Sequence, residues 1–330
     1  MEDTELLIKL PNYDTNYVVS FRDDLVVTLV SEYKVNELEV PTTINYPKHI
    51  VYTTNNTFVF GFGLDYKWIT FEYLTQIKGI DQDPNKGKSE NSSIGFGLTM
   101  RKFWFRNFYE WNKGYHVANY KDFYPELQTI PYREDITTSI YYATINYGFN
   151  HYRFSNMASM WQLERQQKSA GSFTAGVTFA YTEMNADSSL VSYDFEQFVN
   201  DTIASIKRYR TRVYGINFGY LHTFALSKNK KWFVSLALIP GFSYQNITVN
   251  GEGEGESNSH VPGFQGEARV SLGYNGDKWY YGIVYRAYNI TNNIHRHYPT
   301  SQIYDYFRFY FGYRFTMPET KSKFFKKLGL

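Results

Sequence analysis

Cysteine is absent from all 330 residues, which removes disulfides, thiol nucleophiles and thiolate metal sites. Long apolar runs are absent as well. No stretch of about 18 apolar residues occurs, so a helical membrane span is excluded. Net charge is small: 34 Lys and Arg against 32 Asp and Glu leave +2, without the basic stripe that nucleic-acid binders carry. The start also lacks the basic and apolar regions of an export signal, because Met1 is followed by Glu2, Asp3 and Glu5.

Aromatic residues are in excess. They make up 20% of the chain, with 32 Tyr and 27 Phe, yet the mean hydropathy is only −0.47. A membrane β-barrel needs both features, since it has aromatic girdles at two interfaces and a wet lumen and loops. The last strong segment, Tyr304 to Phe315, shows the pattern most clearly. Phe307, Phe309, Phe311, Tyr313 and Phe315 alternate with Tyr306, Arg308, Tyr310, Gly312 and Arg314. A period of two is a strand, whose successive side chains point to opposite faces. An all-aromatic face set against one with two arginines suits lipid outside and a polar lumen inside.

The same alternation predicts strands at 25–35, 58–64, 69–74, 93–100, 136–149, 173–181, 214–224, 232–244, 263–274 and 278–288. FWFRNFYEW, at 103–111, is a strand of ambiguous facing, and residues 38–55 read as loop, with a turn at Asp65-Tyr66-Lys67. Alternation fails over 151–170, where SNMASMWQLERQQK is rich in helix formers. The loop 184–206 contains the helix-like FEQFVNDTIASIK. Joints near 66, 101, 229 and 275 are short, whereas those near 46, 84, 125, 195, 255 and 296 are long. Outer-membrane barrels place short turns on the periplasmic side and have an even strand number. The reading is therefore all-β: a transmembrane antiparallel β-barrel of about 12 strands, with a helical or plug-like segment near 150–170. Residues 1–22 form a periplasmic N-terminal segment, 23–316 the barrel and 317–330 a basic periplasmic tail. Both termini are expected to be periplasmic, in a Gram-negative outer membrane, with the export signal removed.

The inward set supplies candidate lumen residues: Glu32, Lys34, Glu72, Glu267, Arg269, Arg286, Arg308 and Arg314, with Gln265 beside them. Charges at these positions must face water or one another, because lipid would be prohibitive. They form either a polar conduit or a closed network of ion pairs. Barrels of few strands fill their interior, whereas those of sixteen or more leave a channel.

Catalytic signals are thin, and no catalytic residue or cofactor is expected. His222 shares the outward parity of Tyr214 to Phe224, which raises an outer-face lipid hydrolase as an alternative, but no serine lies at a matched spacing. His295 and His297, with His260, match no metal-ligand pattern, and no metal is expected. The Glu252, Glu254 and Glu256 run could bridge divalent cations to lipopolysaccharide, and KSKFFKKLGL at 321–330 could lie on anionic lipid. Expected partners are thus outer-membrane lipids and lipopolysaccharide, and envelope proteins, with no nucleic acid.

YDTNY at Tyr13 to Tyr17, QLERQQKSAGS at Gln162 to Ser172 and the aromatic closing strand together resemble a family of Bacteroidota outer-membrane β-barrels, a domain of unknown function (DUF4421-like). The resemblance covers nearly the whole chain. It implies a hub formed by Glu164, Arg165, Lys168, Ser169 and Gly171, and no reaction or ligand. The expected function is a non-enzymatic barrel, either a narrow or plugged pore or an accessory subunit of an envelope complex. An adhesin or structural barrel binding through its outer loops is a further alternative.

Overall fold

The computed structural model describes residues 12–317 apart from 44, 47, 56–57, 78–79, 81, 252–255 and 296–297. The chain begins with β1 (Val18–Ser20), β2 (Asp24–Val40), the short β3 (Ile50–Thr53), β4 (Phe58–Tyr66) and β5 (Ile69–Thr75). It continues with β6 (Glu90–Thr99), β7 (Phe103–Val117), β8 (Tyr132–Gly148), the one-turn helix α1 (Met157–Met160) and β9 (Glu164–Gln166). Then follow β10 (Ala170–Asn185), a second one-turn helix α2 (Asp201–Ala204), β11 (Ile206–Ala225), β12 (Trp232–Gly251), β13 (Glu256–Asn275), β14 (Trp279–His295) and β15 (Tyr298–Thr316).

Twelve antiparallel strands, all but β1, β3 and β9, close into a barrel when β15 pairs with β2. Closure leaves no sheet edge, which a membrane interior requires, since an unpaired backbone group there has no water to bond. No helix of the described residues is long and apolar enough to cross a membrane.

Period-two alternation sets the two faces. Leu29, Ile216, Phe242 and Phe264 are 62–65% exposed, and Val26, Tyr209, Val213, Leu221 and Tyr280 on the opposite face are buried. So large an apolar belt on the outside is the surface of a transmembrane barrel. Aromatic pairs ring the end with the short turns, among them Trp279 with Tyr313 at 4.3 Å and Trp232 with Tyr274 at 5.4 Å.

Several local expectations are corrected. Residues 38–55 are not all loop: β2 runs to Val40, and β3 pairs with it and with Tyr52↔Val117 and Thr53↔His116 of β7. Strands β4, β5 and β6 have only 9, 7 and 10 residues, and β3 stands in for them above. Asp65 belongs to β4 rather than to a turn, and the turn falls at Lys67, whose φ is 56°. The N-terminal segment ahead of the barrel contains β1, which pairs with β9. The ambiguous strand β7 turns Trp104, Arg106, Phe108 and Glu110 inward, on the parity of buried Trp104 and Glu110.

Candidate functional site

The lumen is built in three layers. At the short-turn end, residues 150–168 fold back into the barrel and carry α1 and β9. Glu164 is the centre of this plug and is 1% exposed. Its carboxylate accepts from Arg22 Nε at 2.9 Å, from Ser155 Oγ at 2.6 Å and from Arg101. Arg314, fully buried near the end of β15, donates to Gly276 O at 2.5 Å, to Asn275 Oδ1 at 2.6 Å and to the Gln162 carbonyl. Its guanidinium lies 4.0 Å from the Phe21 ring and 4.8 Å from the Tyr280 ring. Asn275 in turn donates to Glu164 O at 2.9 Å. Arg165 donates to Asp277 Oδ1 at 2.7 Å, and Lys231 donates to the other carboxylate oxygen at 2.8 Å. Asp277 lies in the turn between β13 and β14, and these two bonds hold its carboxyl down at about 2. The plug is therefore clasped to the barrel wall by charge-assisted bonds, which are roughly twice as strong as neutral ones.

Above the plug lies a polar chamber. The ladder register places Glu32 directly opposite Arg308, and Arg308 Nε donates to it at 2.7 Å. Arg308 reaches Glu72 as well. Lys34 Nζ donates to Glu110 at 2.5 Å and sits 3.4 Å from Glu32. Arg269 and Arg286 are cross-strand neighbours, a repulsive pairing in isolation. Glu267 lies between them, 2.8 Å from Arg286 and 3.4 Å from Arg269. Arg269 also donates to Asn156 of the plug at 2.9 Å. The Arg106 guanidinium stacks 3.0 Å over the Trp161 ring of the plug and donates to Thr70 Oγ1 at 2.5 Å. Gly97 permits this approach, since a β-carbon there would meet Thr70 Oγ1 at 2.6 Å and Arg106 Nη1 at 2.7 Å. Glu32, Asp65, Glu72, Glu110, Glu267 and Asp305 share this chamber with Lys34, Arg106, Arg269, Arg286 and Arg308. The open space among them is about 120 Å³, floored by Met160, Trp161 and Gln162. That admits several waters at about 10–15 Å³ each but falls short of the roughly 300–1,000 Å³ of small-molecule pockets.

The third layer closes the long-loop end. The inward positions change there from polar to apolar: Leu38, Val40, Tyr52, Tyr115, Val117, Ile136, Met184, Tyr209 and Ile247 are buried in one cluster. The β10–β11 loop turns into this cup. Leu190, Val191, Phe195, Phe198, Val199 and Ile203 fill it, with Phe198 4.9 Å from Phe123 and Phe195 5.3 Å from Tyr124. Arg133 ties the loop down, donating to Ser189 O at 2.7 Å and to Asp135 at 2.7 Å through two nitrogens.

The candidate residues thus separate. Glu32, Lys34, Glu72, Glu267, Arg269, Arg286 and Arg308 meet in the chamber, Gln265 lies buried beside it, and Arg314 belongs to the plug clasp. Glu164 and Arg165 lie in the plug. Lys168 is exposed at the mouth, 5.3 Å from the Tyr17 ring, and Ser169 Oγ accepts from Ala225 N–H at 3.1 Å. Gly171 is in β10, where a β-carbon would strike the Tyr220 hydroxyl and the His222 ring. The implied hub therefore divides between plug and wall. His222 Nδ1 is 3.0 Å from the Tyr220 hydroxyl, and its ring is 4.2 Å from Phe224. His297, Glu252, Glu254 and the segment 321–330 lie outside the described residues, as do the side chains of Glu256 and His295. Among the described residues no group of three His, Cys, Asp or Glu is placed to hold a metal.

Asp65, Arg106 and Glu110 are chamber residues that the pattern did not single out. For the last two a signal exists: Arg106, Glu110 and Asn112 share one parity in β7.

A comparison with curated proteins finds no match. Among solved structures, the chain is similar to the outer membrane protease OmpT from Escherichia coli. That match has 11% identity and a TM-score of 0.39, covering 90% of this chain and 98% of that one. It is also similar to the translocator domain of the autotransporter NalP from Neisseria meningitidis, with 8% identity, a TM-score of 0.35 and 88% of each chain covered. The toluene transporter TodX of P. putida matches with 9% identity and a TM-score of 0.30, covering 90% and 91%. The sequence profile of one family matches residues 12–315, and the chain accordingly belongs to the family described as a domain of unknown function, DUF4421.

Proposed function

We propose that this chain is an integral outer-membrane barrel that is closed to solutes, neither a pore nor an enzyme, and serves as an accessory or structural subunit of an envelope assembly. The observation that carries this reading is the double closure of the lumen. The plug blocks one end with a hydrogen-bonded clasp around Glu164 and Arg314, and an apolar core around Phe195 blocks the other. Most of the charges between them are engaged in ion pairs, Arg308 with Glu32 and Glu72, Lys34 with Glu110 and Arg286 with Glu267. A presenting surface is available too. Strands β11, β12 and β13 have 20 residues each, about twice the 9–11 that a bilayer crossing takes. Their upper halves form a wall above the membrane for a protein partner. The short turns and both chain ends are assigned to the periplasmic side. His222, stacked between Tyr220 and Phe224, fits a girdle residue better than a catalytic one.

Liposome swelling tests this directly. Vesicles carrying the refolded protein should swell in small sugars no faster than empty ones. Swelling that depends on the protein and falls with solute size would replace this reading with a pore.

A further inference from the structure

One carboxamide lies on the lipid-facing side of β7. That strand turns Trp104, Arg106, Phe108 and Glu110 to the lumen, and Phe103, Phe105, Asn107 and Tyr109 away from it. Phe103 and Tyr109 belong to the exposed outer belt. Asn107 stands about 13 Å along the strand from Phe103. A strand tilt of about 40° makes that about 10 Å of height, inside an apolar band about 25 Å tall. Its cross-strand neighbours are Phe96 on β6 and Ala143 on β8, both apolar. Those two strands are described throughout, and among the described residues nothing bonds the Asn107 side chain. An amide left alone at this depth is costly, because hydrocarbon offers no hydrogen-bond partner.

The apolar surface differs on the two sides of Asn107. Toward β6 it is raised, with Ile94 and Phe96 exposed. Toward β8 it is hollow. The small Ala143 lines the start of a groove of about 670 Å³ that continues past Ile145, Val177, Ile216 and Phe242. A two-fold axis along the membrane normal exchanges left and right, so the raised side of one copy meets the hollow side of another. The same patch then serves both subunits, as in the isologous interfaces of most dimers. A carboxamide is self-complementary as well, since its N–H donates and its carbonyl accepts.

We propose that two copies of this chain pair within the membrane through this face, about a two-fold axis beside Asn107. The two amides bond each other on the axis, and Ile94 and Phe96 of each copy seat in the groove of the other. Polar side chains hold membrane segments together in this way, where apolar contact alone gains nothing over lipid. The proposal rests on the membrane-embedded barrel of the reading above and makes a second copy part of its assembly.

The test uses the full chain. Insertion into phosphatidylcholine vesicles is checked first by protease protection. The sequence has no cysteine, so a single introduced thiol reports without background. A short bis-maleimide should link Phe105→Cys into a dimer in these vesicles. Ile283→Cys, on β14 in the opposite wall, should stay monomeric. Sedimentation equilibrium in detergent micelles then gives the dissociation constant. Asn107→Leu should raise it about tenfold, and Asn107→Gln, which keeps the amide, should raise it less. Ala143→Trp, which fills the groove, should also raise it, whereas Ile283→Trp should leave it unchanged. Monomers at every protein-to-detergent ratio, with no linked dimer in vesicles, would mean that lipid alone covers this face and would overturn the pairing. Equal linking at the two cysteine positions, or a dissociation constant indifferent to Asn107→Leu, would overturn it too. Each of these outcomes leaves the barrel reading intact, and failure to insert overturns both.

Discussion

Glu164 is held by two guanidinium groups and a serine hydroxyl at a depth that leaves it 1% exposed. Removing its charge strands Arg22 and Arg101 beside an uncharged amide, and breaking a buried pair in this way costs about 3 kcal/mol or more. Glu164→Gln should therefore lower the urea midpoint of the refolded barrel markedly, whereas Lys168→Gln at the exposed mouth should leave it unchanged. Equal midpoints for the two variants would contradict the clasp. Asp277 adds a pH dependence. Lys231 and Arg165 hold its carboxyl at about 2, below its ordinary 3.8. A depressed carboxyl contributes stability that is fully present above its unfolded value and disappears as pH falls through the folded one. The stability gap between wild type and Asp277→Asn should accordingly be constant near pH 6 and shrink between pH 4 and pH 2, as read from unfolding midpoints. A gap that widens on acidification would reverse the assignment.

At the scale of elements, the cap and the plug differ in kind. The plug is polar and bonded; the cap is held by apolar packing of the β10–β11 loop. Phe195 is fully buried against Tyr124 and Phe123, so Phe195→Ala should cost about 3–5 kcal/mol, measured as loss of protease resistance in the segment 186–205. An uncut segment in that variant would contradict the cap. The twelve wall strands were legible because one face meets lipid and the other water, and period two records that contrast directly. The plug was legible as the stretch where alternation stops. The cap was not, because Leu190, Phe195 and Ile203 belong to a loop whose inward turn is decided by distant partners such as Tyr52 and Ile247. Strand β7 was ambiguous for a related reason: Trp104 and Phe108 put apolar bulk on the lumen side, where the plug's own Trp161 and the chamber consume it. Asp65 was hidden by its place at a strand end, where an acidic residue also suits a turn.

For the whole molecule, the layers make one argument. A barrel of twelve strands is narrow enough for side chains and two inserted segments to fill. Here Arg308 pairs with Glu32 and Glu72, Lys34 with Glu110, and Arg286 with Glu267 across the middle, with about 120 Å³ left open. The two closures use different chemistry and share few residues, so neither should depend on the other. Single-channel conductance in a planar bilayer tests this most directly, with four proteins: wild type, residues 153–168 replaced by a glycine-serine linker, residues 187–204 replaced likewise, and both replaced. The account predicts silence from the first three and steady conductance from the fourth alone. Conductance from the variant lacking only the plug would contradict it, because the apolar cap would then not be closing the barrel.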